Sequence, residues 1–457
     1  MPHESQRPGH PHTARHARKT QQRSLLANVI LVLLGLEAGV AFALALVGQP
    51  LVDWTHLASG ITALSRLAAM TGTFLTLVCL VLISRLPWLE REFGQDRLTW
   101  WHRKFAPYSL YLILAHVLLV ALGYGMTINQ NLWVQFWQLV LGTPWMMPAF
   151  VGFIFMMMIG ITSYKRARSK MKYETWWLLH LYSYLGIALA FMHQIDSGTM
   201  FINNTLLRNV WIGLYVQVAA LIIGFRVVQP LVRSFRHDLR VERVVRETAD
   251  TVSVIFKGRD LASLGARGGQ FFSWRFLGNK SWWEGHPYSL SAAPRADRMR
   301  ITVKDLGDHS KWLAKVRPGT RVIFEGPYGV FTADRAEKSH VVLIAGGVGV
   351  TPIRALLEEL PRSIDVDLIW RASTAAELPL RREIEELAKA RDARVHMMVG
   401  SRKQFPLSAG RISHAVPNIA NADVFLCGPE GLVAGAIEAL EDLGVAHDSI
   451  HDETFAY

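Results

Sequence analysis

Four histidines stand inside long apolar runs of the sequence, where an unpaired polar side chain is costly. His102 and His116 lie fourteen residues apart in one run. His180 and His193 lie thirteen apart in another. At a rise of 1.5 Å per residue, a helix would separate the members of each pair by about 20 Å. Neutral imidazole is a good iron ligand, and ligation removes the cost of an unpaired nitrogen at membrane depth. The alternative is hydrogen bonding between helices.

Six apolar stretches must position these histidines, and each approaches or exceeds the ~20 residues that span a membrane. They lie at about 25–47, 62–86, 100–125, 147–163, 176–195 and 206–229. Lys and Arg crowd the second and fourth connections, whereas the first and third contain none. The positive-inside rule then places both termini in the cytoplasm. The protein is expected to lie in the inner (plasma) membrane of the cell.

This topology brings the histidines to matching depths. The third and fifth helices run in the same direction, so His102 is level with His180 and His116 with His193. Facing imidazoles at two depths predict two b-type hemes, one inner and one outer. Thirteen residues turn a helix about 140° away from its starting face. The fifth helix must therefore be tilted, be distorted near Gly186, or use different rotamers.

Composition narrows the classes of protein. The 457 residues are 51% hydrophobic and contain two cysteines, Cys79 and Cys427. Two cysteines exclude a disulfide framework and an iron–sulfur cluster. The net charge of +12 follows largely from topology, so nucleic acid is not expected as a partner, and no obligatory protein partner is evident. The histidine-rich segment 1–23 is expected to be a disordered cytoplasmic tail, with metal binding as the alternative.

Beyond the apolar half, the sequence alternates short strands, glycine turns and charged helices. Residues 237–335 predict an antiparallel β-barrel, and residues 336–457 predict a parallel, doubly wound α/β nucleotide fold. The expected organisation is a tail at 1–23, a six-helix transmembrane di-heme domain at 24–236 and these two soluble domains.

Three motifs of the barrel segment suit a flavin dinucleotide. They are HPYSLSAAP at 286–294, KDLGDHSKWL at 304–313 and EGPYGVF at 325–331. Tyr288 and Ser289 are suited to the isoalloxazine ring, which needs aromatic and hydroxyl groups. Gly307 and Ser310 are suited to phosphates, which main-chain amides and small residues bind.

Two strand-end loops follow in the nucleotide segment. In residues 341–360 a buried strand leads through Gly346, Gly347 and Gly349 into an amphipathic helix, an arrangement that can bind a pyrophosphate. A tight strand-to-helix turn is the alternative. In the second loop, Cys427 stands either beside the nicotinamide or as a small buried residue.

Taken together, the motifs resemble the NADPH oxidase and ferric reductase superfamily over about residues 25–457. The quoted motifs and the C-terminal ETF resemble ferredoxin-reductase-type modules, and the histidine spacing resembles the ferric reductase-like transmembrane domain. The resemblance implies that FAD is held by His286, Pro287, Tyr288 and Ser289, with the Gly307–Ser310 turn at its phosphates. It implies that reduced nicotinamide is bound by Gly346, Gly347, Gly349, Thr351, Pro352, Cys427, Gly428 and Pro429. It also implies that Phe455 covers the flavin ring until nicotinamide displaces it.

The expected activity is electron transfer from cytoplasmic NAD(P)H through FAD and two hemes to an outer acceptor. Arg371 and Ser373 could bind a 2′-phosphate, which favours NADPH over NADH. Dioxygen is the favoured acceptor because the outer loops are short, almost uncharged and aromatic. A ferric or cupric chelate, and a quinone or extracytoplasmic protein, are the alternatives.

Two positions bear on the outer site. Arg66 either pairs with a heme propionate or extends to the membrane surface. Animal superoxide-forming members of the superfamily carry a further histidine one turn after the outer ligand, and here that position is Val120.

Overall fold

The computed structural model describes residues 35, 39, 55–202, 204–401 and 406–455. The chain divides into two compact units, one ending at Arg226 and the other beginning at Val227. This boundary lies ten residues before the expected one at 236–237. The predicted tail and the first predicted transmembrane stretch lie outside the described residues, apart from Gly35 and Gly39.

The first unit is helical. Its helices are α1 (Leu57–Leu82), α2 (Pro87–Phe93), α3 (Gln95–Thr127), α4 (Leu132–Gly142), α5 (Met146–Ser163), α6 (Lys165–Arg168), α7 (Tyr173–Ser197), α8 (Thr199–Ile202) and α9 (Thr205–Ile222). Among the described residues, five helical segments are long and apolar enough to cross a membrane: Leu57–Leu82, Arg97–Thr127, Met146–Ser163, Thr175–Ser197 and Thr205–His237. These five correspond to the second to sixth predicted stretches.

Small and hydroxyl side chains bring the long helices together. The Thr76 hydroxyl on α1 lies 2.7 Å from that of Ser109 on α3. A Cβ added at Gly186 of α7 would come within 3.0 Å of the Gly152 carbonyl oxygen on α5. Such close backbone approach is how helices associate in lipid, where no hydrophobic force drives them together. Helix α7 runs uninterrupted through Gly186, so the glycine provides contact with α5 and no break.

A π-helical segment, Ile223–Val228, and α10 (Gln229–His237) lead towards the strands. The flavin-type segment has six: β1 (Arg240–Arg246), β2 (Thr251–Lys257), β3 (Phe271–Phe276), β4 (His286–Ser289), β5 (Arg298–Lys304) and β6 (Val322–Tyr328). They form two antiparallel sheets, β1-β2-β5 and β4-β3-β6. Single bridges, Arg240 to Arg321 and Leu290 to Ile301, join the sheets at both edges. Alternating side chains bury an aromatic core that includes Phe256 stacked on Trp274 at 4.7 Å.

The nucleotide segment is a five-stranded parallel sheet. Its strands are β7 (His340–Gly346), β8 (Asp365–Ala372), β9 (Arg394–Val399), β10 (Asp423–Pro429) and β11 (Ile450–Phe455). Helices α12 (Val350–Glu359), α13 (Arg381–Ala390), α14 (Ala409–Ala415) and α15 (Glu430–Asp442) accompany them, and α11 (Asp308–Leu313) precedes β6. The order β11-β10-β7-β8-β9 reverses between β7 and β10. In such sheets, ligands bind at the carboxyl ends of the two strands where the order reverses.

Candidate redox sites

The first histidine pair joins α3 to α7. The ring centres of His102 and His180 lie 6.2 Å apart, with the rings inclined at 66°. Nδ1 of His102 lies 3.1 Å from the carbonyl oxygen of Cys79 on α1. Nδ1–H therefore donates to that carbonyl, which leaves Nε2 as the atom available to a metal. Nδ1 of His180 lies 3.5 Å from the Ser163 hydroxyl.

The spacing of this pair fits an iron between the rings. Metal–imidazole bonds are about 2.0–2.1 Å long, and a ring nitrogen lies about 1.1 Å from the ring centre, so two ligands on opposite sides have centres about 6.3 Å apart. The observed separation is 6.2 Å. A hydrogen bond formed directly between the two imidazoles would not require a separation of 6.2 Å between the ring centres.

The second pair begins with His116 of α3, which is anchored to α1 by Ser65. Nδ1 of His116 lies 3.1 Å from the Ser65 carbonyl oxygen, and the Ser65 hydroxyl donates to the His116 carbonyl at 3.0 Å. Ser65 is fully buried, so the imidazole is held in one orientation. The arrangement matches that of His102, with Nδ1–H on a carbonyl and Nε2 left to a ligand.

His193 of α7 completes this pair. It lines the same cavity of about 350 Å³ as His116. Its Nδ1 is buried without a hydrogen bond of ordinary geometry, although the Ala190 carbonyl one turn earlier interacts with the ring. A buried imidazole nitrogen that lacks a strong partner costs stability. In this respect His193 differs from His102 and His116, whose Nδ1 atoms are held by backbone carbonyls.

The cavity around the second pair also contains Arg66 and Val120. Arg66 is the only Asp, Glu, Lys or Arg among the described residues that line it. Gln194, a polar residue that sequence analysis missed, also lines this cavity. Its side-chain oxygen accepts hydrogen bonds from Trp211 Nε1 at 2.8 Å and from the Tyr215 hydroxyl at 3.2 Å. The sequence signal was an amide next to His193 in an apolar run.

The flavin motif HPYS forms strand β4, and its rings meet a histidine that the sequence analysis did not single out. The ring centres of His286 and His309 are 3.5 Å apart and nearly parallel. The Tyr288 hydroxyl lies 3.0 Å from Nδ1 of His309. Burial and the neighbouring His286 lower the pKa of His309 to about 3. His309 is therefore neutral at pH 7 and forms a hydrogen bond with the Tyr288 hydroxyl. The signal available in the sequence was the position of His309 between Gly307 and Ser310.

The Gly307–Ser310 turn is organised by its serine. The Ser310 hydroxyl accepts from the amides of Leu306 at 2.8 Å and Gly307 at 2.9 Å. No heavy atom lies within 4 Å of where a Gly307 Cβ would be. The turn thus offers open backbone, while the serine side chain supports it from within.

The rest of β4 faces the C-terminal strand. Pro287 pairs with Ser273 across the sheet. The buried Ser289 hydroxyl lies 3.4 Å from a carboxylate oxygen of Glu453 on β11. The predicted flavin serine and the C-terminal ETF segment are therefore neighbours, and Glu453 is the residue of that segment that sequence analysis passed over.

Charged residues link the loop after β4 to the nucleotide sheet. The Glu358 carboxylate on α12 accepts from the Ala293 amide at 2.8 Å and pairs with Arg354. Glu383 on α13 binds both Arg300 of β5, at 2.7 Å, and Arg354, at 3.1 Å. One carboxylate thus connects an arginine of the flavin segment to an arginine of the nucleotide segment.

The two predicted glycine loops meet at the point where the sheet order reverses. Gly347 adopts a φ of +55°, which a β-carbon disfavours. A Cβ added at Gly349 would clash with the carbonyl group of Cys427. A Cβ at Gly428 would lie 3.3 Å from the Gly346 Cα. Small residues are thus required for the loops to touch. Thr351 and Pro352 are buried at the start of α12, and Pro429 precedes α15.

Cys427 is enclosed within the sheet. It pairs with Ala345 of β7, has no exposed surface and packs in the hydrophobic core. Burial, with Glu453 and Asp452 nearby, raises the pKa of its thiol. The thiol is therefore neutral, and its location agrees with the alternative of a small buried residue.

Phe455 and the proposed phosphate-binding residues lie at the ends of strands. Phe455 is half-buried, pairs with Pro429 and packs against the core of the nucleotide segment. Arg371 is buried at the end of β8 and donates to the Ala372 carbonyl at 2.5 Å. Ser373 follows it and is exposed.

A histidine–aspartate cluster occupies the opposite, amino-terminal edge of the sheet. Buried Asp367 accepts from His340 and His396, both at 2.8 Å, and from Arg394 at 2.7 Å. These partners lower the pKa of Asp367 to about 2 against the opposing effect of burial. Because its oxygens are already bonded to cations and imidazoles, the cluster is a structural tie between three strands.

Comparison with known proteins gives two family matches. Residues 68–191, which include three of the four histidines, match the ferric reductase like transmembrane component. Residues 343–438 match the oxidoreductase NAD-binding domain.

Individual relatives match about half of the chain. The ferredoxin reductase component of 3-ketosteroid-9-alpha-monooxygenase from Mycolicibacterium smegmatis is 29% identical over 48% of this chain and 65% of the relative. An NADPH oxidoreductase from Mycobacterium tuberculosis is 29% identical over 48% and 59%. The chain thus spans less than two thirds of the length of either. The FAD/NAD binding domain of nitric oxide dioxygenase from Vibrio cholerae is similar with 24% identity, a TM-score of 0.41 and coverage of 48% of this chain and 99% of that one.

The two family matches agree with the arrangement of the described residues, in which apolar membrane-length helices precede two antiparallel sheets and a parallel sheet. The chain thus carries a segment similar to the ferric reductase like transmembrane component, followed by a segment similar to the oxidoreductase NAD-binding domain.

Proposed function

We propose that the protein moves electrons from cytoplasmic NAD(P)H through FAD and two b-type hemes to an acceptor on the outer side of the inner membrane. The observation that carries this proposal is the 6.2 Å separation of the His102 and His180 rings, with a second histidine pair farther along the same two helices. The fused NAD-binding domain supports reduced nicotinamide as the electron source. Dioxygen, giving superoxide, is the first candidate acceptor.

FAD, when bound, supplies the conversion between the two electrons of a nicotinamide and the single electrons that hemes accept. The protein's own contribution is to hold ligand atoms in place. His102 and His116 each use Nδ1–H on a carbonyl of α1, at Cys79 and Ser65. Both rings are thereby fixed in the tautomer that leaves Nε2 free to bind iron.

On the soluble side, neutral His309 would orient Tyr288 against the flavin through the hydrogen bond between their side chains. The proximity of Ser289 to Glu453 would bring the C-terminal segment, and with it Phe455, to the flavin site. The open backbone at Gly307 and Gly347 would receive phosphate groups. Cys427, being enclosed, would shape this site through its backbone.

NADPH is the proposed donor. Ser373 is exposed just after β8, where doubly wound folds recognise the ribose, and no acidic residue stands there to select an unphosphorylated one. Arg371 lies two residues before Ser373 and would contribute positive charge. The ratio of kcat/KM for NADPH to that for NADH tests this choice, and Ser373→Asp should shift it towards NADH.

The four histidines are tested by heme content. His116→Leu removes one ligand of the second pair, so it should remove about half of the heme absorbance while NADPH still reduces the flavin. His56→Leu, at an exposed histidine before α1, should retain all of it. Full heme content in the His116 variant would refute the ligand assignment.

The acceptor is tested by comparing products. Purified protein with NADPH is assayed for cytochrome c reduction that superoxide dismutase inhibits, and for anaerobic reduction of a ferric chelate. Dismutase-sensitive reduction supports the oxidase. Fast anaerobic chelate reduction with no effect of dismutase would favour the alternative, a ferric or cupric chelate reductase. A protein slow in both assays would favour an electron-supplying subunit for a quinone or protein partner.

A further inference from the structure

Helix α4, which connects α3 to α5, presents apolar side chains on two sides. Phe136, Leu139 and Val140 line the cavity that contains His116 and His193. On its exposed side, Trp133, Trp137 and Leu141 are 63%, 47% and 70% exposed. The helix therefore forms a roof over the cavity whose outer surface is itself hydrophobic.

Charge is missing from the whole region. Residues 105–164, which extend from α3 through α4 to the end of α5, include no Asp, Glu, Lys or Arg. Arg66 is the only such residue among the described residues that line the cavity. An anionic metal chelate that entered this cavity would lose its hydration shell. Arg66 alone would then have to balance its charge, which is unfavourable.

The position of α4 indicates what covers its outer surface. Helix α3 ends at Thr127 and α5 begins at Met146, and both are membrane-length apolar helices. The connection between them therefore lies at one membrane surface, here called the distal surface. Tryptophan concentrates at such interfaces because its ring is amphipathic. Lipid, rather than water, suits the exposed tryptophan and leucine side chains of α4.

We infer that α4 lies in the lipid of the distal leaflet, and that the electron acceptor approaches the roofed cavity from the bilayer as an uncharged, membrane-soluble molecule. This inference rests on the proposed function and specifies the acceptor class. NADPH releases two electrons and one proton. A quinone consumes these two electrons and takes two protons from water at the distal surface to become a quinol, while the proton released by NADPH stays in the cytoplasm. Alternatively, two dioxygen molecules consume one electron each to become superoxide, with no proton taken up. A quinone and dioxygen are both uncharged, as this route requires.

The position of α4 is measured first, with a spin label. Cys79 and Cys427 are both buried, so a cysteine introduced at exposed Leu141 reacts selectively. In holoprotein reconstituted into vesicles, a nitroxide on Leu141→Cys should collide readily with dioxygen and poorly with a water-soluble nickel chelate. A label on Lys170→Cys, in the exposed connection before α7, should show the reverse. Equal nickel accessibility at both positions would overturn the inference.

The acceptor class is measured second, in vesicles that contain the holoprotein and NADPH. Reoxidation of the hemes is followed with decylubiquinone, with dioxygen and with ferric citrate. Reoxidation of the hemes should be fast with an uncharged acceptor and slow with ferric citrate. Comparison of decylubiquinone with dioxygen then identifies which uncharged molecule is the acceptor. Leu141→Lys places a charge in the lipid-facing surface and should slow the fast reaction about fivefold, while Leu141→Met should not.

These outcomes distinguish a failure of the proposed function from a failure of the lipid route alone. Hemes that NADPH never reduces would refute the proposed function. Hemes that are reduced, and are then reoxidised by ferric citrate as fast as by the uncharged acceptors, would refute only the lipid route. The same holds if Leu141→Lys leaves the fast reaction unchanged.

Discussion

At the scale of single residues, three imidazoles of the candidate sites have Nδ1 within hydrogen-bonding distance of a neighbouring group. His102 and His116 have Nδ1 on a backbone carbonyl, and Nδ1 of His309 lies 3.0 Å from the Tyr288 hydroxyl. The first two are arranged to offer Nε2, and the third is arranged to stay neutral. The difference follows from what surrounds each ring.

His309 makes stability depend on pH. Its pKa is about 3 in the folded protein and near 6.5 when unfolded. The unfolded chain therefore takes up a proton first, and stability falls as pH drops from about 6.5 towards 3. We expect a loss of roughly 1–2 kcal/mol between pH 7 and 4.5, after allowing for solvent screening. His309→Gln should reduce the drop in Tm over this interval. Identical pH profiles for the two proteins would contradict the prediction.

At the scale of elements, the nucleotide site depends on two loops that approach through glycine. Gly349 lies against the carbonyl of Cys427, and Gly428 lies against Gly346. Their strands β7 and β10 are neighbours in parallel register, so the loops emerge side by side. A side chain at either contact must push the loops apart.

Gly349→Ala tests this contact. We expect it to destabilise the protein by about 1–3 kcal/mol and to weaken NADPH binding, because the added methyl group clashes with the Cys427 backbone. Gly435→Ala is the matched control, since no atom lies within 4 Å of a Cβ there and helix α15 should gain about 0.5–1 kcal/mol. Denaturation midpoints and NADPH titrations give both quantities. An unchanged NADPH affinity in Gly349→Ala would separate the loop contact from nucleotide binding.

At the scale of the whole molecule, function requires cooperation between segments that fold around separate cores. Within the second unit, the flavin-type sheets and the parallel sheet have their own hydrophobic clusters. Polar groups connect them, with Glu383 between Arg300 and Arg354, and Glu358 on the Ala293 amide. These contacts are directional, so they fix the orientation of one segment against the other.

Glu383→Gln tests that connection. Removing the shared charge leaves two arginines facing each other, and we expect a loss of about 2–3 kcal/mol of stability together with slower flavin reduction by NADPH. Glu386→Gln, at an exposed position on the same helix, is the control and should change neither. Stopped-flow measurement of flavin reduction decides the kinetic part. A normal rate in Glu383→Gln would mean that orientation is set elsewhere.

The sequence by itself determined the features that are local to each segment of the chain. Apolar length, the distribution of Lys and Arg, histidine spacing and glycine motifs are local properties, and they predicted the five described membrane-length helices, the antiparallel strands and the parallel sheet. Only the tertiary structure decided which groups meet across large sequence separations. Ser65 reaches His116, Tyr288 reaches His309, and Glu383 reaches Arg300. It also enclosed Cys427, because burial depends on neighbours that a local pattern does not specify.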